Sequence, residues 1–340
     1  MSKTKAGIIN VTGYAGVELA RLLYRHPEVE ITSVTGRSAA GQKLGTVFPH
    51  LASLGLTITA ELGDVDIAFS ALPQKESVNE VIPLLKRGIK VVDISADFRL
   101  KDAADYPKWY GFKHPAPELL AEAVFGLPEL YRSQLATARL VANPGCYPTG
   151  AILALAPALK AGLIEPDIII DSKSGVSGAG RTLSLGTHFS EVNEDVSAYS
   201  LEGHRHLPEI AQELTRLRPQ RPASVTFVPH LIPMTRGILT TAYAKLTGNQ
   251  TQAEITRLYR DFYKNEPFVK IADAAPHTKH TWGNNLCLVY PSLDTRTNRL
   301  IAISAIDNLV KGAAGQAIQN MNLMFGFPET TGLEALAVYP

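Results

Sequence analysis

Cysteine is nearly missing: Cys146 and Cys287 are the only two in 340 residues. That excludes a disulfide framework, and no clustered metal-ligand spacing accompanies them. No apolar run approaches the roughly 20 residues needed to cross a bilayer. The opening MSKTKAGIIN enters a short strand rather than a signal-peptide core. Excess charge is absent too. Lys plus Arg number 33 against 32 Asp plus Glu, a formal net charge of +1, which leaves no electrostatic footprint for nucleic acid or an anionic membrane surface. There is no internal repeat and no low-complexity tract. What these absences leave is an ordinary globular chain of the reducing cytoplasm, 45% hydrophobic and 19% charged, long enough for two domains.

What is present begins with IINVTGYAGVELARLL, residues 8–23: a short apolar run, a turn containing Gly13 and Gly16, and an amphipathic helical pattern. Glycine in such a turn lets the backbone approach a pyrophosphate, and the helix behind it offers unpaired N–H groups and a positive dipole end. The spacing is N-x-x-G-x-x-G. Asn10 stands where a glycine is usual, and asparagine is among the few side chains that tolerate positive φ. Such turns also arise for structural reasons alone, so the motif by itself leaves both readings open. A second apolar run ends in TSVTGRSAAG, where NAD-selective folds carry an acid for the ribose hydroxyls. Arg37 and Ser38 at that place suit a 2′-phosphate and point to NADP, against the alternative of a solvated surface arginine.

The runs AGIIN, VEITSVT, DIAFSAL, KVVDIS and ARLVANP alternate with helical patterns, which predicts a parallel α/β sheet covered on both faces. After Gly150 the texture changes. Helical GAILALAPALKAG is followed by β-like PDIIIDSKSG, ASVTFVPHL, LTTAYAKLTG and RLIAISAIDN, an α+β pattern with a mostly antiparallel sheet. The expected fold is therefore a Rossmann-like dinucleotide-binding domain at 1–147, completed by a C-terminal helix at about 312–340, and an α+β catalytic and oligomerisation domain at 148–311.

The sharpest local signal is VANPGCYPTG. Cys146 follows a turn of Asn143, Pro144 and Gly145 and immediately precedes a predicted helix. A helix start favours a thiolate, and its N–H groups can stabilise an oxyanion on a bound acyl group. Cys287, in NNLCLVY, reads instead as a buried core thiol. A thiol nucleophile also wants a base. LEGHRHLPEI offers His204 and His206, followed by Glu209, but two histidines at a helix start do not by themselves mark a site. SKSGVSGAGR, with Ser174, Gly175, Ser177, Gly178 and Gly180, reads either as an anion-friendly backbone for nicotinamide or phosphate or as a surface turn. A Cys-His hydrolase accounts for the thiol but leaves the first 150 residues unexplained; a non-catalytic NADPH sensor accounts for those residues alone.

Taken together, SADFRL, NPGCYPT, GHRHLPEI, PMTRGI and DNLVKGAAGQA resemble the N-acetyl-γ-glutamyl-phosphate reductases of arginine biosynthesis, over essentially the whole chain. Aspartate-semialdehyde dehydrogenase is the broader relative. The resemblance implies an NADPH-dependent reduction of N-acetyl-γ-glutamyl phosphate to N-acetyl-L-glutamate 5-semialdehyde and phosphate, through a thioacyl enzyme on Cys146. It implies His204 as acid/base, and Ser95, Arg99, Asn143, His206, Glu209 and Arg236 about the substrate; an arginine fork fits phosphate and carboxylate alike. Thr12, Gly13, Tyr14, Ala15, Gly16, Arg37, Ser38, Ser70, Leu72, Pro73, Ser177, Gly178, Asn308, Lys311, Gly312 and Gln316 are the implied contacts of NADP(H). No metal is implied. The partners implied are the small acyl phosphate and inorganic phosphate, with assembly as a homodimer or homotetramer. A lysine-pathway relative that reduces a longer, aminoadipate-derived acyl phosphate is the alternative; in it the segment around the cysteine departs from NPGCYPT.

Overall fold

The structure, a computed structural model, describes residues 3–340. The chain divides into two compact units, 1–144 with 313–335, and 145–312 with 336–340. The division thus falls just before Cys146 rather than after residue 147, and the last five residues lie with the second unit.

The first unit holds a seven-stranded sheet built from β1 (Thr4–Ile9), β2 (Val29–Thr35), β3 (Ile58–Thr59), β4 (Ile67–Ser70), β5 (Lys90–Asp93), β6 (Val124–Phe125) and β7 (Leu140–Ala142), in the order β3-β2-β1-β4-β5-β7-β6. Every neighbouring pair is parallel. The central strands are buried along nearly their whole length, as expected where helices cover both faces. On one face helix Ser77–Lys86 packs Val78, Val81, Leu84 and Leu85 against Ala68, Val91 and Leu140. Helix Gly315–Phe325 returns from the far end of the sequence, packing on β5 and on helix Tyr14–Leu23. Strand order reverses between β1 and β4, so the loops after these two strands share one edge, where ligands of such sheets bind.

The second unit is a seven-stranded sheet of β8 (Ile164–Gly175), β9 (Ser197–Ala198), β10 (Ser224–Ile232), β11 (Ile238–Leu246), β12 (Val269–Ile271), β13 (Cys287–Asp294) and β14 (Arg299–Ile306), in the order β12-β13-β14-β11-β8-β10-β9. It is mixed: four of its six neighbouring pairs are antiparallel and two are parallel. β13, β14, β11 and β8 run antiparallel in turn, whereas β12 pairs with β13 and β10 with β8 in parallel. The parallel β8/β10 pair arises because helix Leu207–Leu217 makes a crossover between those strands, a connection that alternating apolar runs do not reveal.

Helix Cys146–Lys160 lies against this sheet and is buried on all sides from Tyr147 to Leu159. Its apolar character all round is that of a core helix rather than a surface one. Tyr259 and Tyr263, from helix Gln252–Phe262 and its end, donate their hydroxyls to the carbonyls of Ala154 and Leu153, both at 2.7 Å. The helix that carries the cysteine is thereby held from both sides.

Candidate active site

The helix begins at Cys146 itself, four residues earlier than its apolar pattern. Pro148 is tolerated there because a first-turn residue has no helical N–H bond to lose. Cys146 is partly exposed and Cys287 is buried. Gly145, extended at φ −67° and ψ 156°, precedes the helix, and its N–H donates to Oε1 of the fully buried Glu209 at 2.8 Å. Gly312 packs directly on the cysteine: a Cβ at Gly312 would stand 2.7 Å from Cys146 Cβ. Gly312 lies in a π-helical turn, Val310–Ala314, and its N–H donates to the Asp307 carbonyl at 3.0 Å.

His204 and His206 are both buried, their ring centroids 4.9 Å apart. Tyr147, Tyr199 and Phe227 present their rings to His204 at 5.5–5.6 Å. Burial, and then the neighbouring Arg205 charge, lower the His204 pKa to about 4. The imidazole is therefore neutral at neutral pH. Its Nδ1 accepts the His206 backbone N–H at 3.0 Å, which puts the proton on Nε2 and makes that atom a donor. Burial also raises the Tyr147 and Tyr199 hydroxyls, keeping both protonated, and the two lie 3.0 Å apart.

Arg236 meets Asp307, its Nε 3.0 Å and its Nη2 3.2 Å from the two carboxylate oxygens. Beside it, Asn308 accepts the Gly237 N–H at 2.7 Å and donates to Ser177 Oγ at 2.9 Å. Gly178 is exposed on the same loop, close over Ser174. Lys311 is fully buried, its ammonium 5.8 Å from the centre of the Phe268 ring. The second unit thus gathers Cys146, His204, His206, Glu209, Arg236, Ser177, Gly178, Asn308, Lys311 and Gly312.

In the first unit Asn10 takes φ +64°, the left-handed conformation its side chain tolerates. Its amide donates to the Ala71 carbonyl at 2.9 Å, joining the loop after β1 to the loop after β4 that contains Leu72 and Pro73. Gly16 allows helix Tyr14–Leu23 to approach, since a Cβ there would lie 2.5 Å from the Asn10 carbonyl oxygen. Gly13 precedes that helix, no side chain caps it, and among the described residues no loop carbonyl takes the N–H groups of Tyr14, Ala15 or Gly16. Thr12 completes the turn through its hydroxyl to Asn10 Oδ1. The unit therefore fits a dinucleotide: uncapped first-turn amides suit a pyrophosphate. Arg37 and Ser38, both exposed after β2, suit a 2′-phosphate, and Arg37 pairs with Glu76 at 2.6 Å.

Other residues of the first unit turn inward. Ser70 and Ser77 hydroxyls lie 2.6 Å apart; Ser77 donates to the buried Asp93 at 2.5 Å, and Ser95 donates to it at 2.7 Å. Burial, and then the Asp97 charge, push Asp93 up to about 6. Arg99 donates Nε to the Asn143 carbonyl at 2.8 Å and Nη2 to the Ile94 carbonyl at 2.7 Å. Asn143 donates to the Ala313 carbonyl and accepts from Asn320. Gln316 donates to the Gly126 carbonyl at 2.5 Å. The side chains of Ser70, Ser95, Arg99 and Gln316 are thus engaged with the protein's own frame. Sequence reasoning missed Asp307, Asp93, Ser77 and the ring cage of Tyr147, Tyr199 and Phe227. An acid directly after a strand, as in IDNLV, was the one signal available for Asp307. Among the described residues no group of three or more His, Cys, Asp or Glu is placed to hold a metal ion.

Residues 5–138 match the family of the semialdehyde dehydrogenase NAD binding domain, and residues 146–308 that of the semialdehyde dehydrogenase dimerisation domain. Among solved structures, aspartate semialdehyde dehydrogenase II of Vibrio cholerae, complexed with ASA, superposes with a TM-score of 0.72 over 96% of this chain and 99% of that one, at 16% identity. The Candida albicans aspartate semialdehyde dehydrogenase with NADP gives 0.71 over 95% of this chain and 99% of that one, at 15% identity. The fold and the thiol at a helix start define an oxidoreductase of the semialdehyde dehydrogenase class. An N-acetyl-gamma-glutamyl-phosphate reductase of Dehalococcoides mccartyi is 62% identical over the whole of both chains. That of Symbiobacterium thermophilum is 52% identical over 99% of each. The chain belongs to the N-acetyl-γ-glutamyl-phosphate reductase family.

Proposed function

We propose that this chain reduces N-acetyl-γ-glutamyl phosphate to N-acetyl-L-glutamate 5-semialdehyde and inorganic phosphate in arginine biosynthesis, using NADPH. The observation that carries the reading is Cys146, partly exposed at the first position of a buried helix, with Glu209 holding the residue before it and Gly312 packed on it.

The Cys146 thiolate attacks the acyl carbon, and the C–O bond to phosphate breaks with its electron pair leaving on phosphate. A thioester on Cys146 results, a carbonyl poorly stabilised by resonance. Bound NADPH supplies the hydride that takes this carbonyl to the aldehyde level. The C–S bond then breaks and returns its electrons to Cys146 as thiolate. His204, neutral with its proton on Nε2, donates to the carbonyl oxygen as negative charge develops there. Arg236 binds the anionic end of the substrate, and His206 lines the same site.

Glu209 acts from behind, through Gly145, and Arg99 likewise through the Asn143 carbonyl. Thr12, the amides of residues 13–16, Leu72 and Pro73 hold the pyrophosphate side of NADPH, with Arg37 and Ser38 on its 2′-phosphate. Gly312 packs on Cys146, where the hydride must arrive.

The names of the relatives favour the arginine-pathway substrate over the longer aminoadipate-derived one. A single methylene discriminates by only about 1–3 kcal/mol, so the preference between the two is one of degree. A homodimer or homotetramer is supported by the dimerisation-domain match and by Leu183, Leu185, Phe189, Val196 and Leu201, all more than 60% exposed in the second unit. A free catalytic thiol and a need for NADPH support a cytoplasmic location, where thiols stay reduced.

The test runs the reaction backwards: protein, N-acetylglutamate semialdehyde and NADP, followed for NADPH with and without phosphate. Phosphate-dependent NADPH formation is the expected result. NADPH binding with no turnover on this substrate overturns the reading.

A further inference from the structure

Asp307, which follows β14, has a fully buried side chain. Its Oδ1 accepts the backbone N–H groups of Leu309 at 2.8 Å and Val310 at 3.2 Å, together with Arg236 Nη2 at 3.2 Å. Its Oδ2 accepts the Gly283 N–H at 2.8 Å and faces Arg236 Nε at 3.0 Å. Its own carbonyl accepts the N–H of Gly312, the glycine that packs on Cys146. Arg236 is fixed at its backbone as well, where the Trp282 indole donates to its carbonyl at 2.8 Å.

We propose that Asp307 is a positioning residue that sets, from one buried carboxylate, both the anion-binding guanidinium of Arg236 and the turn that shapes the space beside Cys146. The proposal rests on the acyl-phosphate reading above and deepens it. An arginine side chain has four rotatable bonds and, left alone, samples many orientations. The contacts of Nε and Nη2 with one carboxylate fix the plane of the guanidinium that the reading above assigns to the substrate's phosphate or carboxylate. The same carboxylate collects two backbone amides that close the chain after β14 into the π-helical turn, and a third, from Gly283, that ties it to the segment before β13. A glycine is required at 312 because any Cβ would collide with the nucleophilic residue, so the turn must be held at fixed distance from helix Cys146–Lys160. A buried ion pair is weak evidence of a stabilising role, since its desolvation offsets the attraction. Retaining one here, with both carboxylate oxygens accepting backbone N–H groups, fits alignment better than stability.

The experiment compares Asp307→Asn with the parent enzyme in the reverse reaction, varying inorganic phosphate and NADP separately. It also measures iodoacetamide alkylation of Cys146 with and without phosphate, a readout that needs no turnover. The expected result for Asp307→Asn is a ten- to hundredfold rise in the KM for phosphate, an unchanged KM for NADP, and loss of phosphate protection of Cys146. Combining it with Arg236→Ala should add little to Arg236→Ala alone, because the two act as a unit. Should Asp307→Asn fail to fold, Asp307→Glu, which keeps the charge and displaces the fork, is expected to show the same KM split. Gly312→Ala is expected to lower kcat with the KM values held. Unchanged phosphate KM and protection in a folded Asp307 variant, or equal loss in both KM values, overturns the proposal. Failure of the parent to turn over, with phosphate still protecting Cys146 in an Asp307-dependent way, overturns the substrate reading while leaving the positioning role standing.

Discussion

The N–H of Gly145 donates to the buried carboxylate of Glu209, 64 residues further along the chain, and the residue after Gly145 is Cys146. The contact sets the angle at which the chain enters the helix that carries the thiol. Glu209→Ala leaves a buried donor unpaired, at a cost of about 1–3 kcal/mol, which as a barrier is about ten- to hundredfold in rate. The expected outcome is a kcat lowered by that factor with NADPH affinity retained. Parental kcat in the variant removes Glu209 from the positioning of Cys146.

Cys146→Ser replaces the thiolate by a hydroxyl that is not ionised at neutral pH. Phosphate-dependent turnover should fall below detection while NADPH still binds, measured by fluorescence titration. Substantial remaining activity contradicts a thioester on Cys146. Cys287→Ser, in the buried strand β13, should instead act on stability and spare the chemistry.

His204 offers a test by pH and by side-chain shape. Its folded pKa, lowered to about 4 by burial and then Arg205, lies below the ordinary 6.5, so the unfolded chain binds its proton first. The stability this histidine supports is complete above 6.5 and is lost as pH falls toward 4. In the kcat profile the His204 limb should accordingly lie near 4 and not near 6.5. His204→Ala is expected to cost about 10²–10³ in kcat, the scale of one lost oxyanion donor. His204→Gln, which keeps an N–H donor, should recover part of it. An equal loss in both variants argues against donation from Nε2.

Arg37 is exposed, and its contact with Glu76 is of the surface kind that contributes at most about 1 kcal/mol, so a bound phosphate can displace it easily. Arg37→Ala should raise the KM for NADPH about tenfold or more and leave that for NADH nearly unchanged, since a hydrogen bond to a charged group is worth about 1.5–3 kcal/mol. Equal effects on the two nucleotides remove Arg37 from the 2′-phosphate.

Asp93 should impose a pH dependence of the opposite sign to His204. Burial, then Asp97, raise its folded pKa from 3.8 to about 6, so the folded state binds the proton more tightly. Stability falls as pH rises across that window, and the full cost remains above it. At about 1.4 kcal/mol for each tenfold in proton affinity, the cost is roughly 3 kcal/mol. In Asp93→Asn the stability difference from the parent, followed by urea unfolding, should grow in favour of the variant from acid to neutral pH. A constant difference shows that Asp93 does not titrate in that range.

Much of the fold was legible because periodicity is local. The five apolar runs of the first unit became β1, β2, β4, β5 and β7, whereas β3 and β6, two residues each, are too short to leave a pattern. Asn10 could be read as a positive-φ residue because its side chain is one of few that tolerate that conformation, and it takes it. The parallel β8/β10 pair could not be read, since strand direction depends on the route of the connection and not on the strand's own residues.

By itself the sequence determined what a few contiguous residues can determine: the glycine turn before a helix, the basic residue after β2, and a thiol at the start of a helix. Backbone conformation and helix polarity are properties of neighbours in the chain, so these motifs carry their meaning with them. Only the tertiary structure decided which polar side chains face one another. Asp307 pairs with Arg236 across 71 residues and Asn308 with Ser177 across 131, while Ser70 and Ser95 turn toward Asp93. Such pairings form because a buried donor or charge without a partner is costly. Which partner it finds is set by packing, which no single stretch of sequence records.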